Sequence, residues 1–558
     1  MDNYAIADQF ALLSKLMDIH GENAFKSKSY SIAAYNIEQL PAPLADLPRE
    51  KIAGLKGIGD STARKIFEIL DSGKLSALEE IIRKTPPGVL DMLHIKGLGP
   101  KKIATVWKEM GIESIGELLY ACQENRLMLY KGFGEKTQQN VKQAIEFFLQ
   151  HQGQYLYAEL SAYHKTITDT ISAAFPGEAT SITGAFRRQE LTLDRLEWVT
   201  SIPPGKLIPW LADAGFTVDI QSDEAIECHT PDLSRLVFHL ASRDGFGTAL
   251  FRTTATGAFL YAWKAETMAV PDGASTEEEI FSAAGIPFMY PCLREDGQFI
   301  KKARQGKLPQ LITDRDIRGI IHSHSDWSDG SQSLHDMAKA AMDKGYEYLV
   351  ISDHSKSAFY ARGLTEERIR AQQELIHELN ARLHPFRIFS SIECDILGDG
   401  SMDYTDDVLA TFDLVIASVH SNLKMTQEKA MQRLLGAIRN PYTTILGHPT
   451  GRLLLSREGY PVDHSAIIDA CVEHGVVIEI NAHPRRLDLH WTWIPEALEK
   501  GALLSIDPDA HAVEGYADVH YGILASQKGG LTAKNNLSSF SRAELEAWLD
   551  ARREKRKH

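Results

Sequence analysis

Residues 319–330, with the sequence GIIHSHSDWSDG, decide the fold of the C-terminal half of the chain. The apolar residues before His322 predict a buried strand that runs directly into a group of polar side chains. On an extended chain, side chains two positions apart point to the same side, so His322 and His324 converge. With the carboxylate of Asp329 nearby, this arrangement is typical of metal ligands. A solvated strand end is the alternative explanation of a single His-x-His pair.

The same pattern recurs along the rest of the chain. Amphipathic stretches of helical length, at residues 333–344, 365–383 and 465–474, lie between short apolar runs. Alternating strands and helices predict a parallel sheet or barrel whose functional site gathers at the carboxyl ends of the strands. Unrelated, separately satisfied polar residues would not recur at so many strand ends. The later runs end in Asp353 and His354, Glu393, His420, His448, Asn481, and Asp509 and His511.

These residues resemble the PHP phosphoesterase family, whose domain is a distorted (β/α)7 barrel around a trinuclear metal centre. The resemblance covers residues 316–558 and implies three divalent metal ions, Mn or Zn, with Glu393 as the bridging carboxylate. Nitrogen and oxygen ligands without cysteine suit either of these metals. The implied metal ligands are His322, His324, Asp329, His354, Glu393, His420, His448, Asp509 and His511.

Arg452 follows His448 closely, in the sequence HPTGR. A guanidinium group offers a fork of donors that matches a phosphate group. Arg452 is therefore a candidate catalytic phosphate clamp, and an ordinary surface salt bridge is the alternative.

Composition predicts an intracellular globular protein of several domains. The chain has 558 residues and five scattered cysteines without Cys-x-x-Cys pairing, which favours a reducing compartment. Neither an N-terminal signal pattern nor a membrane-spanning apolar run is present, so we expect a cytoplasmic, nucleoid-associated protein. The net charge is −15, yet residues 1–150 hold 19 basic and 19 acidic residues, so charge neither supports nor excludes DNA binding. Nothing in the sequence indicates a protein partner.

A Gly-x-Gly turn occurs three times in residues 1–150, each between apolar stretches of helical length. Such turns permit close approach of a backbone, and their amide groups and the next helix N-terminus can face one phosphate. They resemble the helix-hairpin-helix module, which grips the DNA backbone without reading sequence; a simple helix connector is the alternative for any single turn. The implied DNA-binding residues are Gly57, Gly59, Gly97, Gly99, Lys101, Lys102, Gly132 and Gly134.

The order of the parts is similar to that of bacterial family X DNA polymerases with a C-terminal PHP domain. The resemblance implies a lyase-like helical domain at 1–82 and a fingers-like domain at 83–150, each with helix-hairpin-helix turns. Lys65 falls where family members carry a lysine that forms a Schiff base with an abasic sugar, and Arg64 beside it could lower its pKa. An exposed helix lysine without catalytic role is the alternative.

Residues 151–300 then correspond to a polymerase beta-like palm and thumb, followed by a linker at 301–315. Active members place two aspartates two positions apart on a strand and a third on a neighbouring strand. Here those places hold Arg195, Glu197 and Val237. Because two-metal nucleotidyl transfer needs these carboxylates, we expect a palm without polymerase chemistry or bound Mg²⁺. The degenerate nucleotide-binding set is Gly184, Arg187, Arg188, Arg195 and Glu197.

The sequence therefore predicts a multidomain α + α/β enzyme that binds gapped, nicked or abasic DNA. Its PHP barrel would hydrolyse phosphodiesters as a 3′–5′ exonuclease, a 3′-end processing enzyme or an abasic-site endonuclease in DNA repair. One alternative is an active gap-filling polymerase that uses Asp194, Glu197 or Asp232 as replacement ligands. Others are a non-enzymatic DNA-binding scaffold with a structural metal site and a small-molecule phosphatase, against which the three hairpins argue.

Overall fold

The structure is a computed structural model that describes residues 2–123, 127–150, 153–230, 235–267, 270–455 and 458–556. The chain divides into two compact units, Met1–Gln152 and Gly153–His558. Among the described helices, none combines the length and apolar character that crossing a membrane requires. The five cysteines are free and buried.

The N-terminal unit is helical in its described residues. Short polar residues and glycines begin and end its helices: the Asp2 and Asn23 side chains accept hydrogen bonds from the first turns of α1 and α2, and Gly21, in the left-handed conformation, ends α1. The helices are α1 Asn3–His20, α2 Ala24–Glu38, α3 Arg49–Ile52, α4 Asp60–Ser72, α5 Ser76–Arg83, α6 Pro87–Asp91, α7 Pro100–Lys108, α8 Ile115–Gln123 and α9 Glu135–Gln150.

The first part of the second unit contains a five-stranded mixed sheet in the order β2-β4-β7-β6-β5, in which β4 and β7 run parallel. Its elements are β1 Tyr155–Leu156, α10 Tyr157–Ala174, β2 Thr180–Thr183, α11 Gly184–Arg187, β3 Thr192–Leu193, β4 Leu196–Thr200, α12 Pro204–Asp213, β5 Thr217–Gln221, β6 Ala225–His229 and β7 Leu236–Leu240. Four helices follow: α13 Phe246–Thr254, α14 Gly257–Glu266, α15 Glu277–Ala283 and α16 Gln298–Arg304.

The rest of the chain forms a nearly closed parallel barrel of seven strands in sequential order. The backbone of Ala510 bonds to His322 and His324 and so joins the first strand to the segment after the last. Its elements are β8 Gly319–Ser323, α17 Leu334–Asp343, β9 Tyr348–Ile351, α18 Glu366–Leu383, β10 Arg387–Asp395, α19 Asp406–Leu409, β11 Leu414–Ser418, α20 Gln427–Arg439, β12 Ile445–Leu446, α21 His464–His474, β13 Val477–Asn481, α22 Ile494–Glu499, β14 Leu504–Asp507, α23 Val519–Lys528 and α24 Arg542–Arg556.

The barrel strands are buried on both faces, which explains their continuous apolar runs. Side-chain oxygens of Ser333, Thr365, Thr426 and Asp463 cap the N-termini of α17, α18, α20 and α21. The predicted helices at 333–344, 365–383 and 465–474 are confirmed, as is the predicted (β/α)7 class of the barrel. Parallel strands bring their carboxyl ends, with the predicted ligands, to one end of the barrel.

Candidate metal centre, hairpins and palm cleft

The nine predicted ligands come together at the carboxyl ends of the barrel strands, and Glu393 lies at their centre. Its Oε1 atom is 3.0 Å from Nε2 of His420, 3.0 Å from Nε2 of His448 and 3.3 Å from Nε2 of His322. Its Oε2 atom is 3.0 Å from Nδ1 of His354 and 3.6 Å from Nε2 of His324. A carboxylate with imidazoles at both oxygens has the arrangement of a bridging ligand.

A second carboxylate, Asp329, faces the same cluster from the loop after β8. Its Oδ2 atom lies 3.4 Å from Nε2 of both His354 and His511, and its Oδ1 atom lies 3.8 Å from Nδ1 of His324. The Asp329 and His511 side chains are 32% and 42% exposed, whereas Glu393 is 1% exposed. The cluster is therefore open to solvent on the side of Asp329 and His511.

Three overlapping groups of side chains in this cluster have ligand atoms close enough to share a cation. Since the groups share members, the cluster matches the expectation of several neighbouring divalent ions. The groups are His324, Asp329, His354 and His511; His322, His324, Glu393 and Asp509; and His354, Glu393 and His420.

The backbone at the strand ends is strained where it delivers ligands. His322, His448 and Asp509 have φ values of 59°, 23° and 51°, in a region that residues with side chains seldom adopt. Such conformations cost about 1–3 kcal/mol each and persist where the surrounding structure determines them. The strained backbone conformation at these three positions directs the side chains toward the cluster.

Three buried residues outside the predicted ligand set hold the ligands in place. Glu479 contacts Nδ1 of His322 and accepts from the backbone amide of His448. Asp395 lies 2.6 Å from Nδ1 of His420, and Asn481 donates to Oδ2 of Asp509 at 3.1 Å. Such outer partners fix the orientation of ligand side chains. Their signal in the sequence is alternation: Asp395 is two positions after Glu393, and Glu479 is two before Asn481.

The cluster fits a divalent cation because several of its potential ligand atoms have no hydrogen-bond partner in the described part of the protein. Nε2 of His322, Nδ1 of His324 and Oε2 of Glu393 are buried and make no hydrogen bond within the described residues. Burial by itself would raise the pKa of Glu393, but His420, His322 and His354 hold it well below its usual range. Burial alone would lower the pKa of His354, yet Glu393 and Asp329 raise it to about 11. An ionised carboxylate among such imidazoles attracts positive charge, which a metal ion supplies.

Arg452, the predicted phosphate clamp, donates to the backbone carbonyls of Arg486 and Leu487, the first at 2.9 Å. Its guanidinium thus supports the loop after β13. Arg486 itself places Nε 3.6 Å from Oδ2 of Asp509. Arg486 is therefore the arginine that the structure brings against a predicted metal ligand, a placement that sequence spacing did not predict.

The three Gly-x-Gly turns in the N-terminal unit share one geometry. Gly57, Gly97 and Gly132 have φ values of 76°, 85° and 94°, which only glycine adopts readily. The residue after each of them is buried, and α4, α7 and α9 begin directly after Gly59, Gly99 and Gly134. The predicted helices after these turns are confirmed.

The surroundings of the turns differ. A side chain at Gly57 would collide with Asn36, whereas added Cβ atoms at Gly97 and Gly132 meet no described atom within 4 Å. Lys101 is exposed beside the open middle turn, and Lys102 donates to the carbonyl of Gly97 at 3.1 Å. In α4, which follows the first turn, the predicted catalytic Lys65 lies over the ring of Tyr30, with Nζ 5.8 Å from the ring centre. Arg64 is exposed.

In the palm sheet, the carboxylate of Glu197 is contacted by an arginine and a histidine. Its Oε1 atom is 2.7 Å from Nε of Arg195, and its Oε2 atom is 3.2 Å from Nε2 of His239. Val237 lies beside Glu197 on the neighbouring parallel strand and is buried. Asp194 also pairs with Arg195, at 3.5 Å. Asp232, the other proposed replacement ligand, lies outside the described residues.

The remaining residues of the predicted nucleotide-binding set are engaged in contacts within the fold. Arg187 donates to Glu277 at 2.6 Å and to Thr254 at 2.7 Å. Arg188 donates to Glu295 at 3.0 Å, and the buried Lys528 of the barrel binds the same carboxylate at 2.5 Å. The Glu197 carboxylate fills the space where Gly184 would carry a side chain. In this structure both arginines thus connect the palm to the segments that follow it.

Two family models match segments of the N-terminal unit. Residues 1–75 match the helix-hairpin-helix domain family, and residues 89–146 match the SAM-like helix-hairpin-helix tandem. The DNA polymerase/3′–5′ exonuclease PolX of Bacillus subtilis (strain 168) is 32% identical over 562 residues, which cover 96% of both chains. The chain belongs to the PolX family.

Relatives of the barrel alone also occur. A probable phosphatase of Caldanaerobacter subterraneus subsp. tengcongensis is 28% identical over 176 residues, which span 31% of this chain and 63% of the relative. A probable phosphatase of Acetivibrio thermocellus is 27% identical over 171 residues, or 29% and 64% of the two chains. The barrel is thus shared with phosphatases. This PolX-family chain is a metal-dependent phosphoesterase.

Proposed function

We propose that this PolX-family chain is a DNA-repair phosphodiesterase that shortens DNA from its 3′ end at the barrel and does not polymerise. The observation that carries the proposal is a contrast between two carboxylates. Both oxygens of the buried Glu393 face imidazoles, whereas Glu197 is paired with the permanent cation of Arg195 and with His239. The 3′–5′ direction is supported by the relative from Bacillus subtilis, which is a 3′–5′ exonuclease by name.

In this proposal the ligand cluster binds and orients the scissile phosphate. Divalent cations held by these ligands would supply Lewis acidity and a bound water of lowered pKa. Glu479, Asp395 and Asn481 hold the ligand side chains in fixed orientations, so the site is organised before DNA arrives. Arg486 offers donors beside Asp509 for a nonbridging phosphate oxygen. The open side at Asp329 and His511 admits the substrate.

The hairpins would hold the DNA backbone independently of sequence. Two open Gly-x-Gly turns, each followed by a helix N-terminus, present backbone amides and positive dipole ends to phosphate groups. Lys101 adds a cation beside the middle turn. We assign the lyase-like domain to 1–82, the fingers-like domain to 83–150, the palm and thumb to 151–300, the linker to 301–315 and the barrel to 316–558.

A palm whose carboxylate is not free to bind metal would serve only to connect neighbouring parts of the chain. Two-metal nucleotidyl transfer requires carboxylates that hold both ions about 3.5–4 Å apart. Among the described residues of the cleft, Glu197 is bonded to a permanent cation, and Val237 offers no ligand atom. Arg187 and Arg188 would then join the palm to the thumb and barrel instead of binding a nucleotide.

The test uses a labelled primer–template with a short gap and added Mn²⁺, with and without deoxynucleotides. We expect stepwise shortening of the primer under both conditions, and no shortening by the His324→Ala variant. Shortening by that variant would contradict the proposed site. Lengthening of the primer in the presence of deoxynucleotides would contradict the proposal that the palm does not polymerise.

A further inference from the structure

The loop that follows the ligand residue His354 carries an exposed aromatic ring. Phe359 is 83% exposed, although the neighbouring Ala358 and Ala361 are fully buried. Single exposed apolar residues are common on protein surfaces and carry no argument by exposure alone. This ring differs from a scattered surface residue because its loop is tied to residues at the metal cluster.

The loop is fixed at its base to a ligand residue. The amide of Leu364 donates to the carbonyl of His354 at 2.8 Å, which closes residues 355–363 into a compact turn. A side chain at Gly363 would collide with the carbonyl of Ser355, so the two ends of the loop are packed together. Phe359 is five residues from His354, which limits the distance between their Cα atoms to about 18 Å.

The tip of the loop is also held. Ser357 donates to both oxygens of Asp403, from its amide at 2.7 Å and from its hydroxyl at 2.6 Å. The amide of Gly363 donates to the carbonyl of Ala358 at 3.0 Å. The Phe359 ring is consequently carried by an ordered backbone, so a ligand that stacks on it pays little entropy for ordering the loop.

The loop borders the open side of the cluster. Arg362 donates to the carbonyl of Ser328, the residue before the ligand Asp329. Asp329 and His511 are the more exposed ligands, so substrate reaches the cluster from the side on which this loop lies. An aromatic ring at the mouth of a phosphodiesterase site provides a flat apolar surface of the kind on which nucleobases stack.

We propose that Phe359 is a positioning residue that stacks on the base of the 3′-terminal nucleotide while its phosphodiester lies at the metal cluster. This inference rests on the proposed function and deepens it. The stack tolerates every base, because each base has a flat face, so it suits an enzyme that shortens DNA of any sequence. It also holds the terminal nucleotide unpaired at the site.

The first test is photo-cross-linking and does not depend on catalysis. A single-stranded oligonucleotide with 5-iodouracil at its 3′ end is irradiated with the full-length protein in EDTA, and the cross-linked peptide is identified by mass spectrometry. We expect the cross-link at Phe359, its loss in Phe359→Ala and its retention in Phe359→Trp. Tyr261, which is 81% exposed on α14, provides the matched control Tyr261→Ala. A cross-link that persists in Phe359→Ala would overturn the proposal.

The second test measures hydrolysis with Mn²⁺ on two oligonucleotides that differ only at the 3′ terminus, which carries either a base or an abasic tetrahydrofuran. We expect Phe359→Ala to lower kcat/KM about 5- to 150-fold for the base-bearing end, the range for loss of one base–aromatic stack. The abasic end should be unaffected. Equal losses on both ends would overturn the stacking role while leaving the nuclease intact. Absence of hydrolysis by the wild-type protein would instead contradict the proposed function, and the cross-link would still test the stack.

Discussion

The barrel and the palm each place a glutamate on a strand, but the two carboxylates have different partners. Glu393 is surrounded by histidines, whereas Glu197 is paired with Arg195 and His239. An imidazole can lose its proton and become a metal ligand, whereas a guanidinium stays charged at any physiological pH. The comparison teaches that an acidic residue at a catalytic position indicates a metal site only if its neighbours can lose their protons and become ligands themselves.

The largest expected effect follows from removing the central charge of the barrel. Glu393→Gln keeps the size of the side chain but removes the negative charge shared by the surrounding histidines. Because metal-dependent stabilisation of charge is worth several kcal/mol, we expect 3′–5′ hydrolysis to fall by about 10³-fold or more. Gel-resolved rates together with the metal content of the purified protein measure this. Unchanged metal content and activity would remove Glu393 from the site.

A smaller effect is expected from the outer partners of the ligands. Asp395→Asn removes the charged acceptor beside Nδ1 of His420 while His420 itself is kept. Loss of such a partner typically lowers metal affinity or activity by about 10- to 100-fold. Titration of the metal-free protein with Mn²⁺, read as recovery of hydrolysis, should show a higher half-saturating concentration. A normal titration curve with a lowered maximal rate would indicate a different role for Asp395.

The sequence predicts the barrel and its ligands well because both follow from local patterns. Parallel strands that are buried on both faces are continuous apolar runs, and strand ends meet at one end of the barrel whatever the details of packing. Alternation places Glu479 on the same face of β13 as Asn481, but only the folded barrel shows that this face meets His322. Arg486 was missed for a similar reason, since its approach to Asp509 depends on the path of a loop.

The palm shows the opposite limit of sequence reasoning. The motif at residues 184–188 contains the expected turn and both arginines. The arginine side chains, however, donate to Glu277 and Glu295, which lie far along the chain. These pairings depend on tertiary packing between segments about 90 to 107 residues apart. A motif therefore predicts which residues are present, whereas the partners that surround them determine what those residues can do.

A still smaller effect, on DNA binding, is expected from a substitution in the N-terminal unit. Lys101→Ala removes a cation beside the open turn of Gly97 and Gly99, away from the buried core. We expect affinity to fall several-fold for all DNA sequences alike, and the slope of log affinity against log salt to decrease by about one. Fluorescence anisotropy at several salt concentrations measures both. Lys74→Ala, an exposed lysine outside the three turns, is the control. A sequence-dependent loss would contradict backbone binding.

The smallest effect is expected in the palm, and it completes the comparison of the two glutamates. Glu197→Gln removes the charge but leaves an amide that can still contact Arg195, and the neighbouring Val237 contributes no ligand in either protein. If the palm is structural, 3′–5′ hydrolysis should stay within about twofold of wild type, because such a substitution removes no group from the barrel. Primer extension should be absent in both proteins. A dNTP-dependent extension that Glu197→Gln abolishes would show that this carboxylate exchanges Arg195 for a metal ion. The distinction between a glutamate bound by arginine and one bound by histidines would then fail as a guide to which clefts are active.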